Sequence, residues 1–198
     1  MLKKINIKKC DGSEVFLNQH NPEAKNTLLD FWMWAHSDLI GNAQRGILAE
    51  YIVGMALEAN CKTRTEWDSY DILTAEGIKL EVKSSAYIQT CGQKEYSKIS
   101  FGIQPTFAWD NVSNTYETIK RRQADFYVFC IHKHKDQETI NPLDLLQWDF
   151  YVLATKVLNE KMPNQKTITL SRLKALGADY CEYGDLKAYI NFNARALE

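Results

Sequence analysis

Residues 124–131 form the most restrictive segment of this sequence, because apolar side chains occupy both of its alternating faces. Successive side chains of a strand point to opposite sides of its sheet. One face would carry Phe126, Val128 and Cys130, and the other would carry Tyr127, Phe129 and Ile131. A strand that is apolar on both faces belongs inside a sheet that is covered on both sides. The segment therefore predicts a central buried strand.

The rest of the chain alternates between helical and strand periodicity. Strands are predicted at 70–74, 78–85, 97–103 and 146–153, with a weaker hairpin at 5–9 and 14–17. Helices are predicted at 27–34, 37–59, 115–122, 171–176 and 186–190. This order favours one α/β domain over 1–196, with a mixed sheet and an N-terminal extension over 1–36 made of the hairpin and the first helix. Residues 197–198 are set aside because they need not be native.

Charge and composition exclude several classes of protein. The 198 residues include 24 Lys and Arg against 25 Asp and Glu, a formal net charge of −1. This balance argues against a protein that coats nucleic acid through bulk positive charge. The sequence has no apolar run of about 18 residues and no signal-peptide core, and its five cysteines form no C-x-x-C pair. We therefore expect a cytoplasmic protein with free thiols and no membrane contact.

Three charged residues converge in the predicted hairpin. A three-residue loop that ends in Gly77 is a common hairpin connection. Its register places Asp71 opposite Glu81, and the period of two puts Lys83 on the face of Glu81. Two facing carboxylates repel each other, and a divalent cation between them would remove that conflict. Hard oxygen ligands suit Mg²⁺ or Mn²⁺, and the lysine could orient an attacking water or stabilise charge on a phosphate.

Both the hairpin and a nearby glutamate also have plainer explanations. The hairpin end could be solvated, with Lys83 neutralising one acid in an ordinary surface ion pair. Glu50 lies among small and apolar residues of the helix predicted upstream, where an unpartnered acid is costly. Together with Glu58, however, it could belong to a solvated helix face. The residue pattern alone leaves these alternatives open.

The order of these residues resembles the PD-(D/E)XK nuclease superfamily, which has the restriction-endonuclease-like fold. A helix with Glu50 precedes Asp71, and Glu81-Val82-Lys83 follows on the next strand. The resemblance covers about residues 37–131 and extends to uncharacterised bacterial members, which supply no substrate. It departs from the usual pattern only in that Tyr70, and not proline, precedes Asp71.

The resemblance implies a central mixed sheet flanked by helices and Mg²⁺-dependent hydrolysis of phosphodiester bonds. Asp71 and Glu81 would be metal ligands, and Lys83 would be the catalytic lysine. Glu50 would either bind the metal ion as a further ligand or contact the residues that bind it. The implied enzyme is a Mg²⁺- or Mn²⁺-dependent endonuclease that acts on DNA. A non-catalytic domain of the same fold that binds nucleic acid or a protein partner is the alternative.

Weaker candidates for nucleic-acid contacts lie outside this motif. Ser85 and Gln89 continue the face of the lysine, although a polar strand end explains them as well. The densest basic run is 120–122, formed by Lys120, Arg121 and Arg122, which could contact a phosphate backbone or simply end a solvated helix. A homodimer is expected by analogy, because cutting a duplex usually needs two sites. A further protein partner could supply specificity or motor activity, since no nucleotide-binding loop motif is present.

Overall fold

In the computed structural model, the segment predicted as the central strand forms β6 (Phe126–His132), and all seven of its residues are buried. The structure describes residues 5, 7–17, 25–59, 63–64, 69–110 and 115–195. Within these ranges, none of the helices has the length and apolar character needed to cross a membrane.

The described residues form five α-helices and eight strands besides β6. The helices are α1 (Leu28–His36), α2 (Asn42–Ala56), α3 (Thr155–Lys161), α4 (Leu170–Ala175) and α5 (Leu186–Ala194). The strands are β1 (Ile72–Leu73), β2 (Lys79–Ala86), β3 (Ser100–Gly102), β4 (Trp109–Asp110), β5 (Thr115–Tyr116), β7 (Trp148–Ala154), β8 (Thr167–Thr169) and β9 (Asp179–Cys181). Short 3₁₀ turns precede β7 and α5.

Five strands form the central sheet, in the order β1-β2-β6-β7-β9. β2 and β6 run parallel, whereas β1–β2, β6–β7 and β7–β9 are antiparallel. The sheet is therefore mixed, and β6 lies at its centre. The predicted α/β fold with a mixed sheet and flanking helices is confirmed.

Each face of the sheet buries its own apolar cluster. On one face, α2 and α5 pack over Leu80 and Val82 of β2 and the even-numbered residues of β6. On the other face, β3, β8, α3 and α4 cover the odd-numbered residues of β6, including Phe129, which is fully buried. This second layer is held by the β3–β8 pair, which is separate from the main sheet. Glu81 and Lys83 of β2 pair with Tyr127 and Phe129 of β6, so they lie on this second face of the sheet.

The helix predicted at 115–122 is wrong. β5 instead pairs with β4, and Thr106 pairs with Arg121 in an isolated bridge. The Trp109 and Tyr116 rings meet edge to face at a centroid distance of 4.9 Å across this pair. Aromatic pairs across strands stabilise extended backbone, and this contact within a short hairpin outweighs the helical periodicity of 115–122.

Two further sequence predictions need correction near the N-terminus. The described residues between 7 and 17 form no hairpin, because Val15 pairs with Thr27 at the start of α1. The helix predicted from 37 begins only at Asn42, after Asp38 accepts a hydrogen bond from the Gly41 backbone N–H at 2.9 Å. Residue 6 of the predicted hairpin lies outside the described residues, and so do residues 197–198.

Candidate active site

The β1–β2 hairpin sets the register of the acidic residues. Ile72 pairs with Leu80, which places the preceding residue, Asp71, opposite Glu81. Gly77 closes the loop with φ +86°, a left-handed conformation that favours glycine. The loop predicted from the sequence and its register are therefore confirmed. The register brings Asp71 and Glu81 onto facing positions of the two strands.

Glu81 and Lys83 form an ion pair on one face of β2. The Lys83 Nζ lies 2.5 Å from the Glu81 Oε1, and both side chains are largely buried, with 30% and 22% of their surface exposed. A residue two positions along a strand points to the same side, so the period of two creates this contact. Since Leu80 and Val82 point to the opposite, apolar face, β2 is amphipathic at this point.

Asp71 interacts with the backbone of β2 through a hydrogen bond and with Glu81 and Lys83 through its charge. Its Oδ2 accepts a hydrogen bond from the backbone N–H of Val82 at 2.7 Å. Although Asp71 as a whole residue is exposed, its carboxyl group has a pKa raised to about 7. Desolvation is the largest cause, the charges of Glu81 and Glu50 act in the same direction, and the hydrogen bond from Val82 opposes them. The negative charges of Glu81 and Glu50 therefore disfavour ionisation of Asp71.

The neighbouring acids stabilise the charged form of Lys83, whereas they destabilise the charged form of Asp71. Burial alone would lower the pKa of Lys83, but the charges of Glu81, Asp71 and Glu50 outweigh it, and the pKa rises. Lys83 is therefore a protonated cation at neutral pH. All four residues predicted for the site interact electrostatically in the structure.

Glu50 lies on α2 and has a partner that the sequence did not indicate. The Arg64 guanidinium donates to both carboxylate oxygens of Glu50, at 2.5 and 3.0 Å. The Glu50 side chain keeps 17% of its surface exposed. The cost of placing an acid among apolar neighbours is thus offset by a bidentate ion pair. No spacing rule links positions 50 and 64, so sequence reasoning missed the pair.

An open cleft of about 210 Å³ lies beside Glu81 and Lys83. Its other lining residues are Ser69, Gly102, Gln104, Thr106, Arg122, Gln123 and Tyr127. Asp71 and Glu50 are not among them. The cleft is mostly polar and combines residues from β2, from the segment around β3 and from the approach to β6. No sequence pattern indicates Gln104, Thr106 or Gln123, because these residues come together only through the fold.

The donor chemistry of the site fits a hard divalent cation held by few protein ligands. Among the described residues, no group of three or more His, Cys, Asp or Glu side chains is arranged to hold a metal ion. Glu50 is instead paired with Arg64. Mg²⁺, however, is commonly bound through one or two carboxylates together with water molecules. The mutual repulsion of Asp71 and Glu81 is what such a cation would relieve.

The structure gives two of the weaker nucleic-acid candidates other contacts. Ser85 is buried, with 8% of its surface exposed. Gln89 accepts a hydrogen bond from the Arg45 Nη1 at 3.0 Å and donates one from its Nε2 to the Ala86 carbonyl at 3.1 Å. Both ends of the Gln89 amide are therefore engaged within the protein. The burial of Ser85 and the hydrogen bonds of Gln89 leave little of either side chain for a ligand.

The basic run at 120–122 divides into one interior and two surface residues. The Arg122 guanidinium is buried and donates to the carbonyls of Ile103 and Met162, each at 2.7 Å, and to Asn159 at 2.8 Å. Arg121 is exposed and pairs with Glu117, and Lys120 lies over the Phe107 ring at 4.9 Å. Only Lys120 and Arg121 remain at the surface where a phosphate backbone could pass.

A mixed sheet with flanking helices and an acidic hairpin beside a polar cleft defines an α/β protein of nuclease-like architecture. The sequence model of the bacteriophage T4 endonuclease IV family matches residues 1–172. The match covers most of the chain, and the chain belongs to this family. Comparison with curated proteins gave no match. Membership of an endonuclease family identifies the chain as a nuclease, which confirms the coarser part of the functional prediction.

Proposed function

We propose that this nuclease hydrolyses phosphodiester bonds of DNA with a bound divalent metal ion, in the manner of the PD-(D/E)XK superfamily. The observation that carries the proposal is the β1–β2 hairpin. Its register sets Asp71 opposite Glu81, and its second strand holds Lys83 against Glu81 beside an open cleft. Perturbed pKa values of electrostatically coupled groups beside a cleft are a general feature of functional sites.

Asp71 and Glu81 are the proposed ligands of Mg²⁺ or Mn²⁺. Such an ion, when bound, polarises a phosphate and lowers the pKa of a coordinated water. Glu50 is proposed to assist from α2, since its charge acts on both Asp71 and Lys83. Glu50 can join the metal ligands only if its ion pair with Arg64 opens, so its first contribution is to the negative potential of the site.

Lys83 is the proposed catalytic lysine, and its pKa restricts its role. Because the neighbouring acids raise that pKa, the ammonium group stays protonated at neutral pH. It then acts as a cation and hydrogen-bond donor and is a poor general base. It can orient the attacking water or stabilise the negative charge that develops on the phosphate.

DNA is the proposed substrate, and the charge of the chain limits how it binds. The net charge of −1 gives no strong attraction to phosphate over the whole surface. Positive charge is local, with Lys120 and Arg121 on the surface close to Thr106 and Arg122, which line the cleft. Binding is therefore selective, weak or assisted. The homodimer and the further protein partner remain predictions.

The proposal predicts metal-dependent cleavage that needs the hairpin residues. Wild type should cleave DNA with Mg²⁺ or Mn²⁺ and lose this activity with a chelator. Asp71→Asn and Lys83→Met should each lower the cleavage rate by roughly 100-fold or more. The first weakens the proposed metal site, and the second removes a cation that stabilises charge on the phosphate. Gel analysis of product formation measures the rates, and circular dichroism checks the fold.

Glu76→Gln is the matched control, because Glu76 is an exposed acid in the same hairpin loop. It should cleave like wild type. Cleavage by Asp71→Asn and Lys83→Met at the wild-type rate would contradict the proposed site. If wild type binds DNA in a salt-dependent way without cutting it under any metal condition, the non-catalytic alternative is correct.

A further inference from the structure

Gln123 contributes an unpaired hydrogen-bond donor to the wall of the cleft. Its side chain lines the cleft together with Glu81 and Lys83. The Nε2 of its amide has less than 1 Å² of accessible surface and no hydrogen-bond partner. Among the described residues, only three side chains have such an atom, and Gln123 is the one that lines this cleft.

The two cationic residues that line the cleft, Arg122 and Lys83, already have hydrogen-bond partners. The three bonds of Arg122 to Ile103, Asn159 and Met162 engage each of its guanidinium nitrogens. Lys83 donates to Glu81. Arg122 can therefore add positive potential to the cleft, while Gln123 supplies an N–H group that no protein acceptor takes up.

An unpaired amide nitrogen in this position is unfavourable for folding. A buried donor loses its hydrogen bonds to water and regains none, whereas an apolar side chain of similar shape would avoid this loss. The terminal torsion of glutamine is broad, so the amide can reorient when an acceptor is present in the cleft. The position therefore suits a donor that acquires its acceptor from a ligand.

We propose that Gln123 binds the substrate directly, donating from Nε2 to a non-bridging oxygen of a nucleic-acid phosphate that lies in the cleft beside Lys83. A phosphate oxygen only accepts hydrogen bonds, which matches a group that only donates. Gln123 is thus a substrate-binding residue. This inference rests on the proposed function, since it requires a phosphodiester at Glu81 and Lys83.

The test compares Gln123→Met with wild type in binding, cleavage and stability. A labelled DNA oligonucleotide is titrated in fluorescence anisotropy against the Lys83→Met protein and against the Lys83→Met/Gln123→Met protein. Loss of a hydrogen bond to a charged acceptor should weaken binding roughly tenfold. In the catalytically intact protein, Gln123→Met should raise KM by a similar factor, while Tm stays equal or rises because an unpaired buried donor has been removed.

Two further variants make the outcome specific. Gln123→Glu keeps the size of the side chain but replaces the donor by a carboxylate, and it should bind DNA more weakly than Gln123→Met. Gln137→Met alters an exposed glutamine that lies outside this cleft, and it should leave KM and Tm unchanged.

Several results would overturn the inference. If wild type cleaves DNA and Gln123→Met has the same KM and affinity, Gln123 does not bind the substrate, although the proposed function stands. A fall in Tm without a change in affinity would show that Gln123 is structural. If wild type neither binds nor cleaves DNA with Mg²⁺ or Mn²⁺, the proposed function fails, and this inference fails with it.

Discussion

At the scale of single residues, Arg121 and Arg122 show that adjacent identical side chains can have unrelated roles. Arg122 points inward and joins two backbone carbonyls and Asn159. Arg121 points outward and pairs with Glu117. Extended backbone alternates its side chains between two sides, and this alternation separates the two arginines. The predicted helix would have left both at the surface.

Arg122→Met should therefore destabilise the fold far more than Arg121→Met. The first change leaves two buried carbonyls without their charged donor, which costs about 3 kcal/mol in the free energy of unfolding. The second removes an exposed ion pair, which contributes about 1 kcal/mol or less. Urea unfolding followed by circular dichroism measures both. Equal losses for the two variants would contradict the interior role of Arg122.

The residues of the candidate site form two groups: those whose proximity can be predicted from the sequence, and those whose proximity cannot. Asp71, Glu81 and Lys83 could be placed together from sequence, because turn length and a period of two fix their register. The partner of Glu50, Arg64, and the cleft residue Gln123 could not be placed. Their positions depend on how separate elements pack, and sequence spacing contains no information about that packing.

At the scale of elements, the strongest predictions came from segments whose hydrophobic pattern is set by burial on the sheet. β6 and β7 were predicted within a few residues of their observed bounds, since one is buried throughout and the other nearly so. The segment around β5 was predicted as helix because the apolar spacing within 115–122 fits a helix, whereas its pairing with β4 depends on residues outside that window. β8 and β9 were missed, being three residues long each.

The β1–β2 loop is the element that sets the candidate site, and Gly77 is its sensitive position. Ala at a φ of +86° is strained by roughly 1–2 kcal/mol, even though a Cβ would meet open space there. Gly77→Ala should therefore lower the free energy of unfolding by about that amount, and Gly77→Asn should lower it less. Chemical denaturation measures the change.

Gly92 provides the comparison for Gly77. A Cβ at Gly92 also meets open space, and its φ lies outside the left-handed region. Ala at such a position restricts the unfolded chain without straining the native one. Gly92→Ala should therefore leave stability unchanged or raise it slightly. An equal loss in both alanine variants would mean that backbone conformation does not explain the sensitivity of the loop.

At the scale of the whole molecule, two groups make stability respond to pH in opposite directions. His132 is buried in β6, and its pKa falls to about 4 because burial disfavours the imidazolium, with the positive charges of His134 and Arg45 adding to the effect. The Trp148 ring covers it edge to face at 5.0 Å. Asp71 has the opposite shift, since the folded protein raises its pKa to about 7.

The signs of the two contributions follow from proton linkage. Between pH 6.5 and 4 the unfolded chain protonates the imidazole of His132 while the folded protein does not, so stability is lost as pH falls. Between pH 7 and 4 the folded protein protonates Asp71 while the unfolded chain does not, so stability is gained as pH falls. The two effects overlap in one pH range and partly cancel in the wild-type protein.

Single substitutions should separate the contributions of His132 and Asp71 to the pH dependence of stability, when they are measured with a chelator present throughout. His132→Phe keeps a ring against Trp148 and cannot be protonated, so from pH 7 to pH 5 it should gain about 2 kcal/mol in the free energy of unfolding relative to wild type. Asp71→Asn should lose stability relative to wild type over the same range. Urea unfolding at the two pH values measures both differences. If the His132→Phe difference is independent of pH, protonation of His132 does not limit stability in acid, and β6 accommodates the charged ring.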